Sequence, residues 1–344
     1  MGELAIHPTA TLAAFKASCA AEGLLAPREG LQDGDVADGI YDDATLRRYL
    51  DARKRDPAAA LAQFREATTF HTEKHILQLY DLISLDHYEE TRKMYPHWTG
   101  RRDRHGQPIL MFDLAHWDAS TIAAWQTTRE IPCHPDVRST PINPAMIQRA
   151  AVHFDTVTRF VLPLCSALGD RPAPATPITK AVYLVDASSL GIKQAWNVRD
   201  VARDISGLLT TCYPETIDRI FVGNAPFYFP RIWAFMKNFV DPVTAEKLVI
   251  TRPGDVYDTL LTQIDHDQIP AQFGGGFKFT TGMLPALDEG IRQALQWTSS
   301  STEELPRGPI KWMDDAEGKR RAVATGCVGD VQRTEEIAVL SVQT

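Results

Sequence analysis

The sequence has no apolar stretch near the roughly 20 residues that cross a bilayer as a helix. Its first residues, MGELAIHPTATLAAF, lack the basic region of a secretory signal. Met1-Gly2 could open a myristoylation signal, but Ile6 stands where that signal wants Ser or Thr. Cysteine is sparse. Cys19, Cys133, Cys165, Cys212 and Cys327 are odd in number and form no Cys-x-x-Cys pair, which argues against a disulfide framework or a zinc ribbon and fits a reducing compartment. Positive charge is in deficit: the net charge is -8 over 344 residues, so a basic nucleic-acid footprint is not expected. These absences point to a cytoplasmic protein, and any membrane contact must come from a local patch.

Catalytic signatures are missing too. No Gly-x-Ser-x-Gly elbow exists, and Ser188-Ser189-Leu190-Gly191 does not fit one. Gly274-Gly275-Gly276 is not followed by the Lys and Ser or Thr of a phosphate loop, and reads as a chain reversal at a sheet edge. Adjacent carboxylates such as Asp42-Asp43 and Asp314-Asp315 do not face one another. His71 and His75 lie four apart, but Glu73 is misplaced for a zinc helix and no third ligand follows, so a solvated helix face is expected. The expectation is no metal, no cofactor and no enzymatic reaction.

What is present is an ordinary globular composition, 44% hydrophobic and 23% charged. Helices are expected over residues 9–24, from the Asp42-Asp43 cap through 54, and over 57–82. In the second of these, Leu46, Tyr49, Leu50 and Arg53 fall at i, i+3, i+4, i+7, placing Arg53 on the apolar stripe, while Arg47, Arg48 and Lys54 point elsewhere. Residues 97–113 read as a hairpin. Asn143-Pro144 should cap a long helix to 168, kinked by Pro163. The apolar run 181–186 suits a strand buried on both sides, and 191–211 suits a helix. Strands alternating with helices imply a mainly parallel sheet. Beyond 276, a helix over 283–297, a linker over 298–318 and a hairpin over 321–342 are expected.

The chain is organised around residues 213–250. Ile220-Phe221-Val222 forms a strand closed by Gly223-Asn224, and Pro230 opens a helix whose Ile232, Phe235, Met236 and Phe239 repeat at helical spacing. Trp233 and Val240 thicken that face until little polar surface remains, so the helix should be buried or face lipid. Asp241-Pro242 stops it and caps a further turn in which Thr244 and Lys247 share a face. Leu248-Val249-Ile250 is the next strand.

Tyr213-Pro214-Glu215, Asn224-Ala225-Pro226-Phe227, the aromatic helix, Phe239-Val240-Asp241-Pro242-Val243-Thr244-x-x-Lys247 and Phe273-Gly274-Gly275, taken in order, resemble the CRAL-TRIO lipid-transfer family and its phosphatidylinositol-transfer branch. The resemblance runs from Asp42 to Gly276. It implies an α/β fold: a helical N-terminal subdomain (1–88), a lipid-binding domain with a central mixed, mainly parallel sheet and a gating helix (89–280), and an extension (281–344) on which it gives no guidance. It also implies that Arg53, Glu215, Thr244 and Lys247 converge on a phosphatidylinositol headgroup. Arg53 and Lys247 suit the phosphate, Thr244 the phosphate or a ring hydroxyl, and Glu215 the inositol hydroxyls or a cation. Phe227, Ile232, Trp233, Phe235, Met236, Phe239 and Val240 would form the gate and cavity wall, with Phe235, Met236 and Phe239 toward the acyl chains and Trp233 and Val240 nearer the surface.

Departures from the family fall in a second-ligand region. Ala181 and Tyr183 stand where the branch that also exchanges phosphatidylcholine has Ser and Thr. Thr99 and Phe154 replace tyrosines, and Asp218 replaces a glycine thought to help the gate swing. The expectation is a monomeric carrier that holds phosphatidylinositol as its ligand, meets membranes transiently at their surface, and presents lipid to lipid kinases. The rival readings are a carrier of a sterol, tocopherol-like or retinoid ligand, and a lipid-sensing adaptor without transfer activity.

Overall fold

Local signals set most helix starts. Asp42 accepts from the Ala44 and Thr45 N–H groups and caps α2 (Asp43–Ala52), as its position suggested. Asp56 does the same for α3 (Pro57–Glu73), with proline in the first turn. With α1 (Pro8–Ala21), α4 (Ile76–Leu82) and α5 (Leu85–Met94), these helices form the N-terminal part. The single helix expected over 57–82 is two, because His75 adopts a left-handed backbone (φ 53°) between α3 and α4. This is a computed structural model; it describes residues 8–133, 142–252, 254–298 and 302–341, the side chains of residues 8 and 9 excepted, so the Met1-Gly2 terminus, residues 299–301 and Val342 lie outside it.

A five-stranded sheet follows, in the order β1 (His97–Arg102), β2 (Pro108–Asp113), β3 (Ala181–Asp186), β4 (Ile217–Gly223), β5 (Leu248–Ile250). β1 and β2 form the expected antiparallel hairpin, and every later pairing is parallel. Helices supply the crossovers. Between β2 and β3 run α6 (Ala119–Arg129), α7 (Met146–Thr156) and α8 (Leu162–Ala167); between β3 and β4, α9 (Ile192–Asn197) and α10 (Arg199–Cys212); between β4 and β5, α11 (Phe229–Met236) and α12 (Pro242–Glu246). Strand alternation divides the side chains. Ile109, Met111, Val182, Leu184 and Phe221 pack on one face against Leu260 of α13 (Val256–Leu261), Ile264, Ile269 and Phe273. The Phe273-Gly274-Gly275 segment reverses the chain as expected: Gly274 is left-handed, and a Cβ on Gly275 would run into the Ile269 carbonyl.

The long helix starts at Met146 rather than at Asn143-Pro144; Ala145 is its cap residue, and its N–H donates to Gln148 Oε1. α7 and α8 are joined by a π-helical segment, Val157–Val161, immediately before Pro163. Proline has no N–H to return to the carbonyl four residues back, and a widened turn is one way a helix absorbs that loss. The helix expected over 191–211 also divides, at Val198.

The C-terminal region differs most from expectation. Among the described residues only α14 (Glu289–Ala294) is helical there, and the supposed linker contributes a strand. β6 (Leu295–Trp297), β7 (Ile310–Asp314), β8 (Arg320–Ala324) and β11 (Glu335–Leu340) form an antiparallel sheet in the order β6-β11-β8-β7, with a small ribbon of β9 (Cys327–Val328) and β10 (Val331–Gln332) beside it. This sheet packs on the π-helical segment. Trp312 stacks on Phe160 with ring centroids 5.0 Å apart and donates to the Phe160 carbonyl. Tyr80 donates to the Ile310 carbonyl. Buried Lys311 lies 2.7 and 2.9 Å from the two oxygens of Asp35 and 2.8 Å from Asp81, while Arg159 covers the Tyr80 ring at 4.3 Å. Lys311, Asp35, Asp81 and Arg159, the last 3.9 Å from Asp35, are all almost fully shielded from solvent. Removing Lys311 strands Asp81 and leaves Asp35 to the more distant Arg159, so Lys311→Ala should lower the unfolding free energy by about 3–5 kcal/mol. Urea unfolding of the full chain measures this, and a loss below about 1 kcal/mol would show the cluster to be relaxed by water.

Candidate functional site

The other face of the five-stranded sheet is packed only in part, where Leu110 and Ala181 join a core cluster with Phe160 and Leu164. Phe112, Tyr183, Val185, Ile220, Val222 and Leu248 project from it into a cavity of about 1220 Å³, mouth included. Leu190 and Ala195, then Val198, Val201, Ile205 and Leu209 of the α10 side, wall it opposite the gate. No charged side chain lines it among the described residues; Tyr183, Ser206 and Thr244 supply its hydroxyls.

α11 closes the cavity. Pro230 sits in its first turn, as the sequence suggested, but the α-helix ends at Met236 and passes into a 3-10 turn, Lys237–Phe239. Its rotation differs from expectation. Phe229, Ile232, Trp233, Met236 and Val240 face the cavity, whereas Phe235 and Phe239 do not line it. Phe235 stacks on Trp196 of α9, centroids 5.3 Å apart and 16° from parallel, and touches Phe239 edge-on; Arg203 covers Phe239 at 5.0 Å. Neighbouring aromatics drew these two rings sideways, a tertiary effect that spacing within one helix does not contain. Phe227 is also corrected: it precedes the helix and is 92% exposed, outside the cavity.

Thr244 joins the cavity to a polar rim. Asp241 caps α12 by accepting from the Thr244 N–H, and Lys247 ends the turn by donating its N–H to the Thr244 carbonyl. The Lys247 ammonium donates to Glu215 Oε2 at 3.0 Å. Lys180, which sequence reasoning passed over, approaches the same oxygen at 3.4 Å. Burial would raise the Glu215 carboxyl, but the two lysines outweigh it and hold it below its ordinary range. Glu215 has a left-handed backbone (φ 54°), an unusual state for a side chain with a Cβ and one that collects at functional sites.

The structure thus brings Lys247 into contact with Glu215 and keeps Thr244 in the same turn as Lys247. Arg53 stands differently. The helix ends at Ala52, so Arg53 leaves the stripe and is exposed, with Lys54 and Arg55 left-handed after it. Its Nε donates to Gln63, whose amide donates to the Thr210 carbonyl at the end of α10, so it reaches toward the segment before Glu215 without touching Glu215 in the described contacts. The buried arginine of that helix is Arg48, bonded to Thr45 Oγ1.

Of the second-ligand positions only Tyr183 lines the cavity. Ala181 packs in the core, Thr99 donates to the Ile109 carbonyl, and Phe154 lies between Tyr95 and Tyr213. His71 is not on a solvated face. Nδ1 faces the Ala67 carbonyl at 2.9 Å and Nε2 faces Asp155 Oδ1 at 3.1 Å, an arrangement that calls for both nitrogens to carry protons. Tyr213 of the Tyr-Pro-Glu segment donates to the same carboxylate at 2.7 Å. Burial alone would depress His71; the charge and hydrogen bond of Asp155 override it and push the imidazole up to about 10.

An α/β domain with helices behind its sheet and a gated apolar cavity before it is the fold of a carrier of hydrophobic molecules. The CRAL/TRIO domain matches residues 92–275, and the chain belongs to that family. It is 29% identical to the SEC14 cytosolic factor of Eremothecium gossypii over 238 residues, 68% of this chain and 69% of that one. It is 28% identical to the Sec14 cytosolic factor of Schizosaccharomyces pombe over 264 residues, 76% and 83% of the two chains. A phosphatidylinositol/phosphatidylcholine transfer protein of Arabidopsis thaliana, SFH11, is 26% identical over 282 residues, 78% of this chain and 68% of that one. The crystal structure of Sfh5 superposes with a TM-score of 0.56 over 85% of this chain and 97% of that one, at 11% identity.

Trp233→Glu places a carboxylate on the inner wall, where an unpaired charge is costly. The protein should fold yet retain about tenfold less co-purifying hydrophobic ligand by mass spectrometry of extracts; undiminished loading would mean Trp233 faces outward. For His71, a raised folded pKa contributes stability that is complete below the unfolded value of about 6.5 and is lost as pH rises through about 10. Unfolding free energy should fall by up to about 1.4 kcal/mol per pH unit across that window, and His71→Gln should remove this slope.

Proposed function

We propose that the protein is a phosphatidylinositol-binding transfer protein, which carries one phospholipid with its acyl chains in the cavity and its headgroup at the rim. The observation that supports this best is Thr244: it lines an uncharged cavity and shares one helical turn with Lys247, which pairs with Glu215. Acyl burial is worth about 0.8 kcal/mol per CH₂, so the cavity supplies affinity and the rim supplies identity. Relatives named as phosphatidylinositol/phosphatidylcholine transfer proteins and as cytosolic factors support the same reading. It makes the protein a carrier rather than a catalyst, cytoplasmic, with phosphatidylinositol as its ligand and lipid kinases as recipients of the presented lipid.

Membrane contact in this reading is peripheral. Among the described residues no helix is long and apolar enough to cross a membrane. The outer side of the gate region instead exposes Ile192, Trp196 and Phe227, and Arg199 covers the Trp196 ring at 4.5 Å. Tryptophan is favoured in the interfacial zone of a bilayer, and basic residues beside it meet anionic headgroups. The gate opens there, and α11 swings away while its inner stripe meets lipid instead of the sheet.

Lys247→Ala removes a charge-assisted partner, a loss of about 1.5–3 kcal/mol. Transfer of labelled phosphatidylinositol between vesicles should fall by about tenfold or more, with the fold intact by circular dichroism. A wild-type rate in Lys247→Ala would dismiss the rim as the headgroup site, and a wild-type protein that binds lipid without exchanging it would favour an adaptor.

A further inference from the structure

Lys180 belongs to the connector just before β3, outside the motif positions that single out Glu215, Thr244 and Lys247. Yet its ammonium and that of Lys247 approach the same oxygen of Glu215, at 3.4 and 3.0 Å. Two cations on one carboxylate leave a net charge of about +1 before any ligand arrives, by simple count of ordinary charge states. Each ammonium has three donors and spends one on Glu215, so each keeps donors for a ligand. Among the described residues Glu215 Oε1 has no partner, so the carboxylate can accept from a hydroxyl while its other oxygen holds the lysines. Arg53, exposed beyond α2 with its Nε held by Gln63, adds a further cation on the α10 side.

A phosphatidylinositol headgroup brings one phosphodiester charge, which Lys247 alone can meet, and leaves the spare donors of Lys180 unused. Resting on the proposed function, we propose that Lys180 is an additional headgroup cation, and that the rim selects inositol lipids carrying a phosphate on the ring over phosphatidylinositol itself. The phosphodiester meets Lys247 and Thr244, a ring hydroxyl meets Glu215 Oε1, and the ring phosphate meets Lys180. Both lysines already meet one Glu215 oxygen without ligand, so the site holds its charge pattern in advance. A partly exposed Lys180 lets the added phosphate keep part of its hydration, which limits the desolvation cost of the second charge.

The test uses the full chain and two sets of phosphatidylcholine vesicles, one containing phosphatidylinositol and the other a phosphatidylinositol monophosphate. Binding and transfer are measured for wild type, Lys180→Gln and Lys180→Arg. Wild type should prefer the monophosphate, and raising salt should shrink that preference. Lys180→Gln should lower the ratio of the two affinities by about tenfold, and Lys180→Arg should restore it. A lysine that only steadies Glu215 would weaken both lipids alike and leave the ratio unmoved, which overturns the proposal. Wild type that transfers phosphatidylinositol but shows no preference for the monophosphate also overturns it while leaving the proposed function standing. Wild type that transfers neither lipid overturns both.

Discussion

The structure depends on a sheet that packs one face throughout and the other only in part, Leu110 and Ala181 joining a core cluster with Phe160 and Leu164 while the rest opens on a cavity. Val182, Leu184 and Phe221 on one side of the pleat meet a close-packed layer, whereas Tyr183, Val185 and Val222 on the other meet a cavity. A one-residue slip in β3 would exchange the two sets. The parallel register Leu110–Tyr183–Ile220 excludes that slip through backbone hydrogen bonds on both sides of β3. Apolar side chains facing empty space lose the contacts a core would give them. The deficit is tolerable only if a ligand occupies the space or the rest of the fold is stiff enough to hold it open.

Stiffness comes from the packed part of that same face. The long helix is widened before Pro163, and into that irregular turn the C-terminal sheet sends Trp312 and the Lys311 cluster. The extension is thus bonded to α4 through Tyr80 and Asp81 and to the π-helical turn through Phe160. Arg92 reinforces the join by donating to the Gly282 and Met283 carbonyls while paired with Glu89. These contacts are dense and buried, and they lie away from the gate, whose outer residues are half-buried or exposed. Motion at the cavity mouth therefore need not disturb the frame that keeps the cavity open.

What the sequence disclosed follows from how local each signal is. Asp42, Asp241 and Pro230 act within one helical turn, and each sits where its chemistry placed it. The Thr244–Lys247 pairing is equally local. Arg53 was misplaced because its position on the stripe assumed one more turn of helix, and Lys54 and Arg55 break that turn with left-handed backbones. Lys180 was missed because nothing near it in sequence signals that β3 and the segment before β4 bring it to Glu215, a contact that exists only once the parallel sheet has formed. His71 looked like a surface residue for the same reason: Asp155 and Tyr213 lie far along the chain. Of the C-terminal sheet, the antiparallel return of β8 and β11 was legible as the hairpin expected over 321–342, whereas β6 and β7 escaped because each is short and reads as helix end or loop until the sheet's pairing is known.

The gate shows why an apolar helix can be both closed and movable. Its inward stripe is worth burying whether it faces the sheet, an acyl chain or a bilayer, so hydrophobic burial alone does not choose between closed and open. The choice falls to directional contacts at its flank: the Phe235 ring on Trp196, Arg203 over Phe239, the Asp241 N–H on Ser206 and the Tyr228 hydroxyl on the Leu190 carbonyl. Aromatic and cation–ring contacts of this kind are worth about 1 kcal/mol each at an exposed site. In the proposed function, such a clasp would close the helix in water and yield when its own rings find a better place in lipid. Trp196 stands on α9 rather than on the gate helix, so a membrane that took up that ring would remove the clasp from outside α11.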